Sequence, residues 1–116
     1  MKTEVLFLEG LNREITFYIG RNKNENFDVI DKGLEHDLWF HANELSSCHV
    51  VAIIPEDLSN KQKKYIIKMG AILCKKYTNK LRNQQKVQIL YTEIKNIEKT
   101  NIIGCVEIKN KKIIII

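Results

Sequence analysis

The chain has 116 residues, 44% of them hydrophobic and 28% charged, which fits one globular domain with a core of its own and excludes a membrane-embedded protein. One proline and five glycines exclude collagen-like and proline-rich disordered classes. The longest apolar run, residues 113–116, falls far short of the roughly 18 residues a spanning helix needs. With no secretory leader legible and three cysteines (Cys48, Cys74, Cys105) that form no CxxC pair, the expectation is a soluble cytoplasmic domain over residues 1–116 without a disulfide framework.

Residues 4–8 and 14–19 are rich in strand formers and flank a turn containing Gly10 and Asn12, which predicts a hairpin with Ile15, Phe17 and Ile19 on its inward face. Residues 21–36 are polar and irregular, with at most a short helical turn. Residues 37–41 and 49–54 predict two further strands, the second ended by Pro55. The period then changes. Ser59 and Gln62 form a capping-box pattern, and Ile66, Met69, Leu73 and Tyr77 recur every three or four residues, predicting one long amphipathic helix over about 59–81. Residues 86–92 predict a strand, residues 95–99 a basic connection, and residues 104–108 and 112–116 a closing hairpin around Asn110 and Lys111. The fold class expected is α+β, a mainly antiparallel or mixed sheet with one long basic helix.

Charge is unevenly divided within the formal net of +5. Residues 1–57 carry 5 basic and 11 acidic side chains, a balance of −6; residues 58–116 carry 14 basic and 3 acidic, a balance of +11. On the predicted helix Lys61, Lys64, Lys68 and Lys75 fall within an arc of roughly 60° at ~100° per residue. No acidic residue occurs between Lys61 and Lys86, so the helix forgoes the (i, i+4) ion pairs a merely solvated surface would make. A basic face for a polyanion is the functional reading; a solvated face is the alternative.

Two clusters carry chemistry. In Gly20-Arg21-Asn22-Lys23-Asn24-Glu25-Asn26, Arg21 offers a planar fork suited to phosphate, and Asn22 and Asn26 offer turn-forming amides that contact phosphate or sugar. In Asp37-Leu38-Trp39-Phe40-His41, the two-residue period puts Asp37, Trp39 and His41 on one side and Leu38 and Phe40 on the other. With His49 eight residues on, Trp39 and the imidazoles are candidates to stack an unpaired base or to bond phosphate and base edges, or else are core. His36, His41, Cys48 and His49 match no familiar zinc spacing, and neither a glycine-rich phosphate loop nor a GxSxG elbow occurs, so no metal, cofactor or catalytic role is expected.

The order Gly20-Arg21-Asn22 with Asn26, then Asp37-Leu38-Trp39-Phe40-His41-Ala42, then His49-Val50-Val51 resembles the NFACT-R domain, the RNA-binding domain of ribosome-associated quality-control factors. Tyr91-Thr92, the basic Lys95 and Lys99, and Gly104-Cys105-Val106 continue the resemblance. Ser46-Ser47-Cys48 stands where the family usually has Pro-Gly-Ser. The resemblance implies a non-catalytic domain that binds RNA, with tRNA or ribosomal RNA preferred and DNA as a second possible ligand. Arg21, Asn22, Asn26, Trp39, His41 and His49 would orient nucleotides, and Lys61, Lys64, Lys68, Lys75, Lys95 and Lys99 would hold phosphates. Two other classes are open: a module docking on a ribosomal or quality-control protein through the acidic first half, and an RNA-processing enzyme using Asp37 and His41.

Overall fold

A computed structural model describes residues 1–116. Strands β1 (Lys2–Leu8) and β2 (Arg13–Gly20) form the expected hairpin, closed by Leu11 and Asn12 amides bonding the Leu8 and Glu9 carbonyls, with Asn12 in the left-handed region at φ 52°. Helix α1 (Lys23–Asp31) follows, then β3 (Leu38–Ala42), β4 (His49–Ala52), α2 (Asn60–Lys76) and β5 (Gln88–Glu93). A 3-10 turn at Ile94–Asn96 leads to the short strands β6 (Ile97–Lys99) and β7 (Val106–Ile108), and β8 (Lys112–Ile115) ends the chain.

Six strands pair in the order β1-β2-β4-β3-β5-β8, every pair antiparallel. β6 and β7 form a separate two-stranded ribbon. The sheet is covered on both faces, which is why central β3 and β4 read as nearly unbroken apolar runs. On the first face Ile15, Phe17, Ile19, Leu38, Phe40, Val50 and Ala52 pack beneath Ile66, Ala71, Leu73 and Cys74 of α2. On the second, Trp39 and Val51 pack against Val29 and Ile30 of α1, with Ile97, Val106 and Ile108 of the ribbon alongside. The inward face assigned to Ile15, Phe17 and Ile19 is therefore observed.

Four boundaries depart from the sequence reading. The polar stretch after Gly20 holds a nine-residue helix, because Asn22 caps it by accepting the Glu25 amide at 2.9 Å while the Glu25 carboxylate accepts the Arg21 amide at 3.0 Å. Helix α2 has its capping box (Ser59 Oγ from the Gln62 amide at 3.2 Å, Gln62 Oε1 from the Ser59 amide at 3.0 Å) but stops at Lys76, not near residue 81. The Thr78 hydroxyl donates to the Cys74 carbonyl at 2.8 Å and accepts the Cys48 amide of the sheet at 3.2 Å; the chain then turns, with Leu81 buried. The basic connection over 95–99 contains a turn and strand β6. The closing hairpin does not form: β7 pairs with β6, and β8 crosses to β5 instead. With Asn110 at φ 52° the chain reverses toward the sheet edge, where Ile114 and Ile116 gain a core that a free hairpin would not offer. Residue 116 is pinned by two 2.8 Å bonds with Val87. No helix is long and apolar enough to cross a membrane.

Candidate functional site

The antiparallel register that sets Phe40 opposite Val50 brings His41 and His49 side by side at the end of the β3–β4 pair. Their ring centroids are 4.9 Å apart with planes at 86°. Trp39, two residues before His41 on the same side of β3, lies parallel to it at 5.6 Å and meets His49 edge-on at 5.1 Å. The indole itself is fully buried under α1, so Trp39 is core, the wall against which the imidazoles are set, and not an open stacking platform.

Each imidazole has its protonation pattern fixed by a neighbour. The Trp39 indole N–H donates to His49 Nδ1 at 3.2 Å, so that nitrogen is bare and the neutral ring carries its proton on Nε2. His41 Nδ1 lies 2.7 Å from the Ala42 carbonyl, which only accepts, so His41 is protonated there and its Nε2 is bare. The His49 main-chain amide donates to Asn26 Oδ1 at 3.0 Å, which fastens α1 to β4. Burial, and then the neighbouring His41, push the His49 pKa down from 6.5 to about 3. Burial also lowers that of His41, with the Lys80 charge acting in the same sense and the Ala42 carbonyl opposing.

The unfolded chain takes up a proton on His49 below about pH 6.5, whereas the folded chain resists until about 3, so stability is complete above 6.5 and is lost as pH falls through that window. Chemical denaturation followed by Trp39 emission should show His49 lowering stability by about 1.4 kcal/mol per pH unit between pH 6 and 4. A flat profile there would mean the rings are solvated.

The imidazoles form part of the lining of a cleft of about 390 Å³. Arg21, Asn22, Lys23 and Asn26 enter from the α1 end, Ser46, Ser47 and Cys48 from the loop before β4, Tyr77, Thr78 and Asn79 from the end of α2, and Ile103, Gly104 and Cys105 from the ribbon. No acidic side chain lines it. Arg21 is partly engaged by Glu25 at 3.4 Å; Cys48 and Cys74 are buried free thiols. Five of the predicted residues (Arg21, Asn22, Asn26, His41, His49) thus meet in one cleft, with Trp39 behind them. Lys23, Thr78 and Asn79 were missed: Lys23 stands within the Arg21–Asn26 cluster, but nothing in the sequence brings the end of α2 to β4.

A second cleft of about 530 Å³ opens beside the N-terminal half of α2. Lys64 and Lys95, both expected, line it together with Lys63 and Lys112, which were not, and with the amide side chains of Asn60, Asn96 and Asn110. Glu93, 3.8 Å from Lys95, is its one carboxylate. Lys61 and Lys68 are exposed on α2, Lys75 is half-buried, and none of the three lines either cleft. Lys99 is held by Asp31 at 2.7 Å and lies over the Phe27 ring, on the α1 side of the sheet. Asp37 lines neither cleft, so the Asp37/His41 pair required by the enzyme reading is not assembled.

An antiparallel sheet covered by a helix on each face, ending in a polar cleft without acidic groups, defines a small α+β binding domain. The chain belongs to the NFACT family: the model of the NFACT protein RNA binding domain matches residues 5–110. It is similar to the coiled-coil domain-containing protein 25 homolog of Dictyostelium discoideum, 33% identical over 97 residues that cover 83% of this chain and 47% of the relative. It is equally similar to coiled-coil domain-containing protein 25 of Danio rerio, 33% identical over 86 residues, 73% of this chain and 42% of that one. The chain thus spans less than half the length of these relatives. In fold it resembles the C-terminal part of the fibronectin/fibrinogen-binding protein of Streptococcus suis, with a TM-score of 0.80 and 24% identity over all of this chain and 45% of that structure.

Proposed function

We propose that this domain binds structured RNA, tRNA or ribosomal RNA, without catalysing a reaction on it, as a cytoplasmic component related to ribosome-associated quality control. The observation that carries the reading is the convergence of Lys63, Lys64, Lys95 and Lys112 on one cleft with a single carboxylate among them. Four like charges gathered around one carboxylate repel one another in the free protein, and phosphates relieve that repulsion while releasing the counterions condensed on the nucleic acid. Lys61, Lys68 and Lys75 extend the basic surface along α2. Arg21, Asn22, Asn26, His41 and His49 act at the first cleft, with Trp39 positioning the rings from behind. Lys99, already paired with Asp31, contributes least.

The test is fluorescence anisotropy with labelled tRNA and a matched duplex DNA over a range of salt. RNA binding should weaken with salt at a log–log slope of about −0.7 per single-strand phosphate engaged. Lys63→Glu/Lys64→Glu should weaken it at least tenfold and reduce the slope by about 1.4. Unchanged affinity in that variant, or salt-insensitive binding in the parent, would remove the second cleft from the interface. Tighter binding to duplex DNA than to tRNA would transfer the reading to DNA.

A further inference from the structure

We propose that the first cleft holds the hydrogen-bonding edge of one unpaired base on His41 Nε2 and His49 Nε2, with the phosphate of that nucleotide kept at the rim by Arg21 and Lys23. This rests on the RNA-binding reading and deepens it.

Every buried side-chain nitrogen and oxygen in the molecule has a partner. His49 is 2% exposed, and its Nδ1 receives the Trp39 indole, yet its Nε2–H has no partner in the protein. The same holds for the bare Nε2 of half-buried His41, whose Nδ1–H is taken by Ala42. Both Nε2 atoms therefore keep an accessible edge, and the space that both rings line is the cleft. An almost wholly buried ring with one free polar atom presented to a cleft is a recognition element, since folding has removed that atom's other chances of a partner.

The chemistry of the missing partner is set by the two tautomers. His49 Nε2 gives a proton and His41 Nε2 accepts one. A phosphate oxygen at neutral pH has nothing to donate and meets a lone pair at His41, so phosphate is disfavoured between the rings. A nucleobase edge offers an N–H beside a ring nitrogen or carbonyl oxygen, the complementary pair. In an A-form duplex the Watson–Crick edge is occupied by the opposite strand and the major-groove edge lies too deep for side chains to reach, so the base must be unpaired, as sequence-reading RNA domains generally require. The cleft, at about 390 Å³, lies at the small end of ligand pockets, and its cations stand apart from the rings: Arg21 and Lys23 enter from the α1 end, both exposed. Burial keeps both imidazoles neutral at physiological pH, which preserves one donor and one acceptor at the two Nε2 atoms in place of two donors.

The experiment compares a short single-stranded RNA with the same strand carrying abasic riboses, on the parent domain and on His41→Phe, which keeps an aromatic ring parallel to Trp39 but removes the acceptor. The parent should bind the abasic strand about tenfold more weakly, and His41→Phe should bind both strands as the parent binds the abasic one, with an unchanged salt slope. The imidazole ¹⁵N resonances of the parent provide a readout independent of any variant. The intact strand should move the Nε2 signals of both histidines; abasic strand and inorganic phosphate should not. Equal affinity of the parent for the two strands, or the same Nε2 shifts with inorganic phosphate, would overturn this inference while leaving RNA binding standing. Failure of the parent to bind either the strand or tRNA would overturn the RNA-binding reading, and this inference with it.

Discussion

Asp37→Asn should cost the fold about 3 kcal/mol and leave the RNA affinity of the folded fraction unchanged. The Asp37 carboxylate is 1% exposed, and its two oxygens are committed to the main chain: Oδ2 accepts the Leu34 amide at 2.7 Å and Oδ1 the Ile54 amide at 2.8 Å. It clamps the turn entering β3 to the segment leaving β4, while His36 Nε2 stands 3.6 Å away. Asparagine supplies one acceptor, and its amino group would face a backbone N–H, donor against donor, in a site closed off from solvent. Charge-assisted bonds contribute about 1.5–3 kcal/mol each, so a deficit near 3 is the expected outcome of urea denaturation. A loss below about 1 kcal/mol would show that the two amides find other partners. An acid–base enzyme would lose activity in the same variant at unchanged folded population, so scoring RNA cleavage alongside stability tests that reading directly.

Gly70→Ala is expected to destabilise the domain by about 1–2 kcal/mol, although alanine is the better helix former by about 1 kcal/mol. A Cβ at Gly70 would stand 2.3–2.7 Å from three atoms of the Phe40 ring, and Phe40 is fully buried at the centre of the first face. The position is thus the point at which α2 touches the sheet backbone-first, and neither element yields without lifting the rest of the helix. Phe40→Leu should rescue part of the loss in the double variant, since shortening the ring reopens the space; strict additivity of the two changes would argue against the contact. Stabilisation by Gly70→Ala alone would mean that helix propensity outweighs packing here.

What the sequence made legible follows from which forces are local. Alternation in 14–19, the apolar core pattern of 49–52 and the Ser59/Gln62 box are properties of neighbouring residues, and the corresponding strands and the helix start are where they were expected. Helix α1 had a local signal too, Asn22 three residues before Glu25, but the polar run from Asn22 to Asn26 obscures an apolar face of only Phe27, Val29 and Ile30. The end of α2 and the course of β8 were not legible because both are decided by partners distant in sequence: Thr78 by the amide of Cys48, Ile116 by Val87. At the site, the grouping of Arg21, Asn22, Asn26, His41 and His49 came from their motif spacing. The burial of Trp39 depends on α1 lying over it, and so could not be read from a strand whose two faces are both apolar or aromatic.

The order of the sheet also bears on how the charge split acts before there is a site at all. Strands β1, β2, β4 and β3 are contiguous in the sheet and all lie within residues 2–52, in the half with a balance of −6; α2, β5 and β8 come from the half with +11. The β3–β5 ladder is therefore a seam at which an acidic four-stranded piece receives a basic two-stranded piece and its helix. In the unfolded chain the N-terminal half is the nearest polyanion to the lysines of the C-terminal half, and docking along that seam is an association of opposite charges held at high effective concentration by the chain itself.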